Sequence, residues 1–333
     1  MMTSHRGHVD LPAPLLESAH AQSGIVTRRQ ILASGVPLRD LRSAMGQRFR
    51  MVLPGVVLLD PGLPNLDQRL VAAQLFAGPC AWLAGTTAAA FHGLPHMPSL
   101  DELRRVELLV PAPRRPRDVS WVSIRRTHIV DERLVERGPL QISCRARSLV
   151  DAAAAAGPDR DVRAMIIAAV QQRLVRADDV LHWIEVRRPN GRIRLRAALD
   201  EAMAGVWSVP EGDLLRLLGS SSVLPKAMAN PELQDDQGRH LTTPDVWIDD
   251  VALAVMVHSR QYHADALDWE ETVEVDADLG AARVVVVPVT PASIAREPAR
   301  VLDRVERAYV EAARSGFRAA VTATPRTSFA RAS

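Results

Sequence analysis

The stretch Pro244–His263, PDVWIDDVALAVMVHSRQYH, decides the fold of the C-terminal part of the chain. Its first residues alternate polar and apolar side chains, which predicts a half-buried strand. Residues 251–257 are continuously apolar, which is typical of a strand covered on both faces. Two adjacent aspartates between these segments favour a turn, so we expect a hairpin with Asp245 opposite Met256. The two-residue period of a strand then places Asp245, Met256 and His258 on one face.

Three motifs around this hairpin resemble those of PD-(D/E)XK nucleases, most closely the Vsr-like endonuclease family common in actinobacteria. Ser208 and Glu211 match the Ser-x-x-Glu that opens a helix in that family. Asp245 matches the aspartate of the first strand, and Tyr262–His263 matches the terminal Tyr-His pair. The resemblance covers residues 205–312 and implies an α/β restriction-endonuclease-like domain.

The chain departs from that family where Glu-x-Asp-Gly is expected, because Met256 and His258 stand at the two acidic positions. Magnesium prefers hard oxygen ligands, and a thioether is a soft donor. We therefore interpret Glu211 and Asp245 as vestigial catalytic residues and expect no metal or other cofactor. If the protein is an active Mg²⁺-dependent endonuclease instead, the resemblance implies that Glu211 and Asp245 are its metal ligands.

The N-terminal part of the chain has the order of a winged helix-turn-helix. Thr27 with Gln30 forms a capping-box pattern at a helix start, and the helix ends before Gly35. A second helix is predicted to begin at Pro37. An alternating segment then turns at Pro54–Gly55, which indicates a β-hairpin. In such folds the second helix enters the major groove and the hairpin contacts phosphates.

Polar side chains of this segment form the predicted double-stranded DNA interface, with the second helix reading bases and the hairpin contacting the backbone: Arg28, Arg39, Arg42, Ser43, Arg48 and Arg50. The alternative is that these arginines form only a solvated face, because nearly every basic residue of the chain is arginine.

The same segment resembles the N-terminal domain of AbiEi-type antitoxins, which are transcriptional autorepressors of bacterial abortive-infection toxin–antitoxin pairs. The match covers residues 24–59, in particular 26–32 and the hairpin at 50–57, and extends more loosely through 85–94. The resemblance implies DNA binding and, in the antitoxin alternative, a cognate toxin protein as a second partner.

The middle of the chain combines short strands with helices and carries no recognisable catalytic motif. Arg147 and Asp151 are four residues apart, so we expect an ordinary ion pair on one helix face. The densest basic patch, at 187–196, predicts either a second DNA contact or the solvent face of a helix pair, and the sequence leaves both open. Residues 316–333 are expected to be disordered.

The residues after His263 are acidic, from Asp265 to Asp278. We interpret them as a solvated helix face. The alternative is that these carboxylates replace the lost metal ligands, which would preserve an active enzyme.

Composition excludes several classes of protein. The net charge is only +2, so nucleic-acid contact requires a local patch. The two cysteines, Cys80 and Cys144, lack metal-ligand spacing and fit a reducing compartment. No apolar leader or segment of membrane-spanning length is visible, so we expect a cytoplasmic protein that does not contact membranes.

Together these features predict an α+β multidomain protein. The predicted boundaries are a winged helix-turn-helix at 13–60, an AbiEi-like α+β middle region at 61–204, a PD-(D/E)XK-like domain at 205–312 and a disordered tail at 313–333.

Three functions are consistent with the sequence. The first is a DNA-binding, antitoxin-like transcriptional regulator with a degenerate nuclease-like domain and no enzymatic activity. The second is a metal-dependent DNA endonuclease with altered ligands. The third is a protein-interaction antitoxin that neutralises a nucleotidyltransferase-type toxin. The oligomeric state is not encoded in any recognisable pattern.

Overall fold

The computed structural model describes residues 11–113, 118–258 and 278–326. It is a mixed α/β multidomain chain that divides into two compact units. Unit 1 comprises residues 1–156 together with 178–190, and unit 2 comprises 157–177 together with 191–333. The predicted middle region, 61–204, therefore contributes helices to both units.

Unit 1 begins with three short helices and a small antiparallel sheet of order β1-β3-β2. Thr27 and Gln30 form the predicted capping box at the start of the second helix. Pro37 is the N-cap of the third helix, so the predicted start there is one residue too early. The predicted hairpin at Pro54–Gly55 is confirmed by β2–β3 pairing. The elements are α1 (Ala13–Ala21), β1 (Ile25–Thr27), α2 (Arg28–Ala33), α3 (Leu38–Ala44), β2 (Arg50–Leu53) and β3 (Val56–Leu58).

The rest of unit 1 is a five-stranded mixed sheet of order β6-β5-β4-β8-β7 with helices packed on it. The side chains of Leu70, Leu83 and Ile142 are fully buried in its core. Its elements are α4 (Leu66–Ala77), β4 (Trp82–Leu83), α5 (Gly85–Phe91), β5 (Val106–Pro111), β6 (Val122–Thr127), β7 (Val135–Arg137), β8 (Leu140–Ile142), α6 (Arg145–Ala155) and, from later in the chain, α8 (Ala177–Arg187).

Arg147 of α6 is fully buried, which corrects the expectation of an ordinary pair on a helix face. Its guanidinium carbon lies over two indole rings, 5.6 Å from the ring centroid of Trp82 and 4.8 Å from that of Trp183. Its Nη1 donates to the Ile129 carbonyl at 3.0 Å, and its Nε lies 3.6 Å from the Asp151 carboxylate. A buried cation needs such partners because desolvation otherwise makes its charge unfavourable.

Unit 2 contains a four-stranded sheet of order β14-β13-β12-β9 and a three-stranded sheet of order β11-β10-β15. The helices with described bounds are α7 (Asp159–Gln171), α9 (Arg192–Met203), α10 (Val209–Gly219), α11 (Pro291–Arg296) and α12 (Pro298–Ser315). Its strands are β9 (Met228–Ala229), β10 (Glu232–Gln234), β11 (His240–Leu241), β12 (Val246–Ile248), β13 (Leu253–Val257), β14 (Val285–Val289) and β15 (Thr322–Thr324).

Two expectations for unit 2 are wrong. Strand β12 is buried on both faces rather than half-buried, because a second apolar cluster covers Trp247. The segment expected to be disordered from residue 316 contains β15, which pairs with β10. Ala319 and Val321 are buried, and that apolar burial anchors the strand.

Within the described residues, no helix is both long and apolar enough to cross a membrane.

The Arg147 cluster yields a stability prediction for unit 1. Asp151→Ala should lower the free energy of unfolding by about 3–5 kcal/mol, because it leaves a buried cation without its carboxylate. The matched change Asp179→Ala removes an exposed pair with Arg133 in the same unit and should cost about 1 kcal/mol or less. Urea unfolding followed by tryptophan fluorescence measures both. Equal losses of unfolding free energy in the two variants would contradict the prediction that the buried ion pair contributes more than the exposed one.

Candidate functional site

The predicted hairpin is formed by β12 and β13. Val246 pairs with Val255 and Ile248 with Leu253, so Asp245 follows in register opposite Met256, as predicted. A turn at Asp249–Val251 connects the strands. Strand β14 then runs parallel to β13 at the edge of the sheet. The carboxylate of Asp245 lies at the open end of this hairpin, where its Oδ2 accepts the Val257 backbone N–H at 2.6 Å.

Helix α10 brings Glu211 to the same end of the sheet. Ser208 is the N-cap of α10, and its hydroxyl donates to Glu211 Oε1 at 2.7 Å. The backbone N–H of Trp207 donates to Glu211 Oε2 at 2.9 Å. The Ser-x-x-Glu spacing thus produces a local cap geometry, because an N3 glutamate can reach back to unpaired donors at the helix start.

Arg163 of α7 fixes the position of α10. Its Nη1 lies 2.7 Å from Asp213 of α10, and its Nη2 lies 2.8 Å from Glu201 of α9. A Cβ at residue 212 would lie 2.7 Å from Arg163 Nη2, so the glycine next to Glu211 lets this guanidinium approach the helix. The three helices are therefore joined beside the candidate site by one partly buried arginine.

Asn230 is the residue that sequence reasoning missed. It follows β9, has an exposed fraction of 2%, and its Nδ2 donates to Glu211 Oε2 at 2.7 Å. Its backbone N–H donates to the Asp245 carbonyl at 3.1 Å. The one sequence signal was an asparagine before Pro231 in a loop, since asparagine tolerates the left-handed backbone found here, with φ of 45°.

Burial and the nearby charge of Glu211 raise the pKa of Asp245 to about 7. Both causes disfavour the carboxylate form, since desolvation and a like charge each penalise ionisation. A bound cation would have the opposite effect on this pair. The folded protein therefore keeps a proton on Asp245 at pH values where the unfolded chain has lost it.

Met256 and His258 occupy the positions where the resemblance predicts carboxylates. Met256 is buried in the apolar cluster that contains Trp247 and Ala254. His258 follows β13 directly, and its backbone N–H donates to the Val289 carbonyl at 2.8 Å. No group of three or more His, Cys, Asp or Glu side chains suited to a metal ion occurs in the parts of the chain that the structure describes. Glu211 and Asp245 supply hard oxygen donors at this end of the sheet, whereas the buried thioether of Met256 is a soft donor that suits Mg²⁺ poorly.

Several predicted features lie outside the described residues. These are the Tyr262–His263 motif and the acidic residues from Asp265 to Asp276. The hypothesis that the acidic residues after His263 replace the missing metal ligands therefore stays a hypothesis.

The six candidate DNA-contacting residues are all exposed in unit 1. Arg39, Arg42 and Ser43 lie on α3. Arg39 lies 3.2 Å from Asp40, and Arg50 Nε donates to the Pro61 carbonyl at 3.0 Å. Arg28 begins α2, Arg48 lies in the turn between α3 and β2, and Arg50 begins β2.

The arginines of the basic patch at 187–196 are divided between the two units, so the patch does not form one surface within either unit. Arg187 and Arg188 belong to unit 1, and Arg187 pairs with Asp151. The remaining three arginines belong to unit 2, where Arg194 pairs with Asp159 and Arg196 with Asp200. Such pairing reduces the positive charge available for phosphates.

Comparisons with known proteins give little further information. No protein-family model and no curated protein matches the chain. A similar solved structure is the crystal structure of the RV2827C protein from Mycobacterium tuberculosis, with 18% sequence identity and a TM-score of 0.37. The similarity covers 61% of this chain and 81% of that one. A likeness at this level assigns neither a fold family nor a function.

The raised pKa of Asp245 yields a prediction about pH. Because the folded state holds the extra proton, stability should fall as the pH rises from about 4 to about 7 and then level off. Asp245→Asn cannot ionise and keeps an oxygen to accept the Val257 N–H. Its stability relative to the natural protein should therefore increase across that range, as measured by urea unfolding at each pH. Parallel curves for the two proteins would contradict the assignment.

Proposed function

We propose that this chain is a DNA-binding transcriptional regulator of the antitoxin type. Residues 13–60 act as a winged helix-turn-helix, and the part of unit 2 around Asp245 is a nuclease-like domain without cation-dependent cleavage. A cognate toxin protein is the expected second partner, since the N-terminal segment resembles AbiEi-type antitoxins.

One observation carries the DNA-binding proposal: α2, α3 and the hairpin β2–β3 follow one another around a three-stranded sheet of order β1-β3-β2. This is the order in which winged helices present a recognition helix and a wing. Helix α3 buries Leu41 and Ala44 and turns Arg39, Arg42 and Ser43 to solvent. Its exposed face is thus polar and rich in hydrogen-bond donors, as major-groove recognition requires.

The local charge supports the same proposal. Residues 13–60 contain six arginines and only three acidic residues, although the whole chain is nearly neutral. All six arginines are exposed. Phosphate contacts by such residues release counterions, which supplies sequence-independent affinity for duplex DNA.

The geometry of unit 2 supports a nuclease-like domain that has lost its chemistry. An antiparallel hairpin, a following parallel strand and a helix carrying Glu211 agree with the fold that the resemblance implies. The site offers Glu211 and Asp245 but a buried thioether in place of the next carboxylate. Metal-dependent cleavage of a phosphodiester requires a cation that polarises the phosphoryl oxygen and activates water.

DNA binding is tested by fluorescence anisotropy with a mixed-sequence duplex and with a duplex selected from a random library. We expect binding that weakens with salt, each phosphate contact contributing about −0.9 to the slope of log K against log salt. Arg48→Ala should reduce the magnitude of that slope by about one on both duplexes. Arg42→Ala should lower affinity for the selected duplex by about 1–3 kcal/mol and leave the mixed duplex nearly unchanged.

Arg307→Ala is the matched control, because Arg307 is an exposed helical arginine of unit 2 paired with Asp303. It should leave both the slope and the preference unchanged. Failure of the natural protein to bind either duplex would refute the winged-helix proposal.

The second half of the proposal is tested by cleavage. Supercoiled plasmid incubated with the full chain and millimolar Mg²⁺ or Mn²⁺ should remain intact, because the site lacks the ligands for the cation. Cation-dependent nicking that Asp245→Ala abolishes would favour the endonuclease alternative.

A further inference from the structure

Asn230 joins the two elements that carry the vestigial carboxylates. Its amide Nδ2 donates to Glu211 Oε2 at 2.7 Å and to the Gly205 carbonyl at 3.0 Å. Its backbone N–H donates to the carbonyl of Asp245 at 3.1 Å. One buried residue therefore links α10, the loop before it and the strand that begins after Asp245.

The hydrogen bonds to Glu211 compete directly with cation binding. Oε2 accepts N–H groups from Trp207 and Asn230, and Oε1 accepts the hydroxyl of Ser208. A cation binds carboxylate oxygens through the same lone pairs that accept hydrogen bonds. An N–H donor held at 2.7 Å also points its partial positive charge at the carboxylate, as a bound cation would.

We propose that Asn230 is a neutral substitute for a divalent cation: its amide ties Glu211 to the sheet and closes this site to metal ions. The proposal rests on the nuclease-like interpretation of unit 2 and adds a cause for the loss of cation binding that is independent of Met256 and His258.

The backbone conformation of residue 230 limits which side chains can replace asparagine without strain. With φ of 45°, residue 230 lies in the left-handed region, which glycine, asparagine and aspartate adopt most readily. Asparagine and aspartate have nearly the same shape, so replacing one amide nitrogen by oxygen changes the chemistry without changing the backbone. Aspartate would place a third carboxylate beside Glu211 and Asp245.

The test uses the full chain with Asn230→Asp and measures thermal unfolding at pH 8, in EDTA and in Mn²⁺. In EDTA the variant should have a lower Tm than the natural protein, because three carboxylates then repel one another without a cation. Mn²⁺ should raise the Tm of the variant, since a ligand that binds only the folded state stabilises it. The natural protein should have the same Tm in both solutions.

Two controls separate a bound cation from a general salt effect. Asn65→Asp changes the exposed N-cap of α4, where aspartate caps equally well, so it should respond to neither EDTA nor Mn²⁺. Adding Asp245→Asn to the Asn230→Asp chain removes one carboxylate and should reduce the Mn²⁺ response.

Three results would overturn the proposal: a natural protein that Mn²⁺ stabilises as much as the variant, a variant as stable as the natural protein in EDTA, or a variant that Mn²⁺ does not stabilise. If the variant unfolds in EDTA at all temperatures, refolding in Mn²⁺ decides, because recovery supports the proposal and no recovery refutes it. DNA binding by the natural protein is measured separately. If the protein binds DNA but the Mn²⁺ results contradict the role of Asn230, only the role of Asn230 fails and the DNA-binding proposal stands.

Discussion

The cost of removing a charge from water shapes both units of this protein. A buried ion is tolerated only when opposite charge, hydrogen bonds or a change of protonation offsets its lost hydration. Arg147 is fully buried, lies over two indole rings and is paired with Asp151. Arg163 is paired with Glu201 and Asp213. Arg147 joins α6 to the indole rings of β4 and α8, and Arg163 joins α7 to α9 and α10.

The candidate site contains buried carboxylates, which meet the same cost in two different ways. Glu211 is matched by three hydrogen-bond donors, and Asp245 is matched by a proton because burial raises its pKa to about 7. Two carboxylates at one end of a sheet would otherwise repel each other strongly in a low-dielectric environment. The two are coupled, because the charge of Glu211 is one cause of the raised pKa of Asp245. Neither carboxylate forms a salt bridge with an arginine or lysine among the residues that the structure describes.

Local patterns in the sequence were sufficient for elements whose geometry depends on near neighbours. The capping box at Thr27, the hairpin at Pro54–Gly55 and the register that sets Asp245 opposite Met256 all follow from spacing of a few residues. The burial of Arg147 did not follow, because its partners Trp82 and Trp183 lie 65 and 36 residues away in the chain. Asn230 was missed for the same reason, since an asparagine before a proline looks like an ordinary loop residue until Glu211 is placed beside it.

Helix α8 belongs to unit 1 although α7 and α9, which flank it in the chain, belong to unit 2. During synthesis the chain emerges from its N-terminus, and units generally fold as they become complete. The second aromatic wall of the Arg147 cluster comes from Trp183, so this cluster cannot close until α8 has left the ribosome. By then all of α7 has also emerged. Helix α7 of unit 2 is therefore already synthesised when unit 1 is completed, although the rest of unit 2 has yet to emerge.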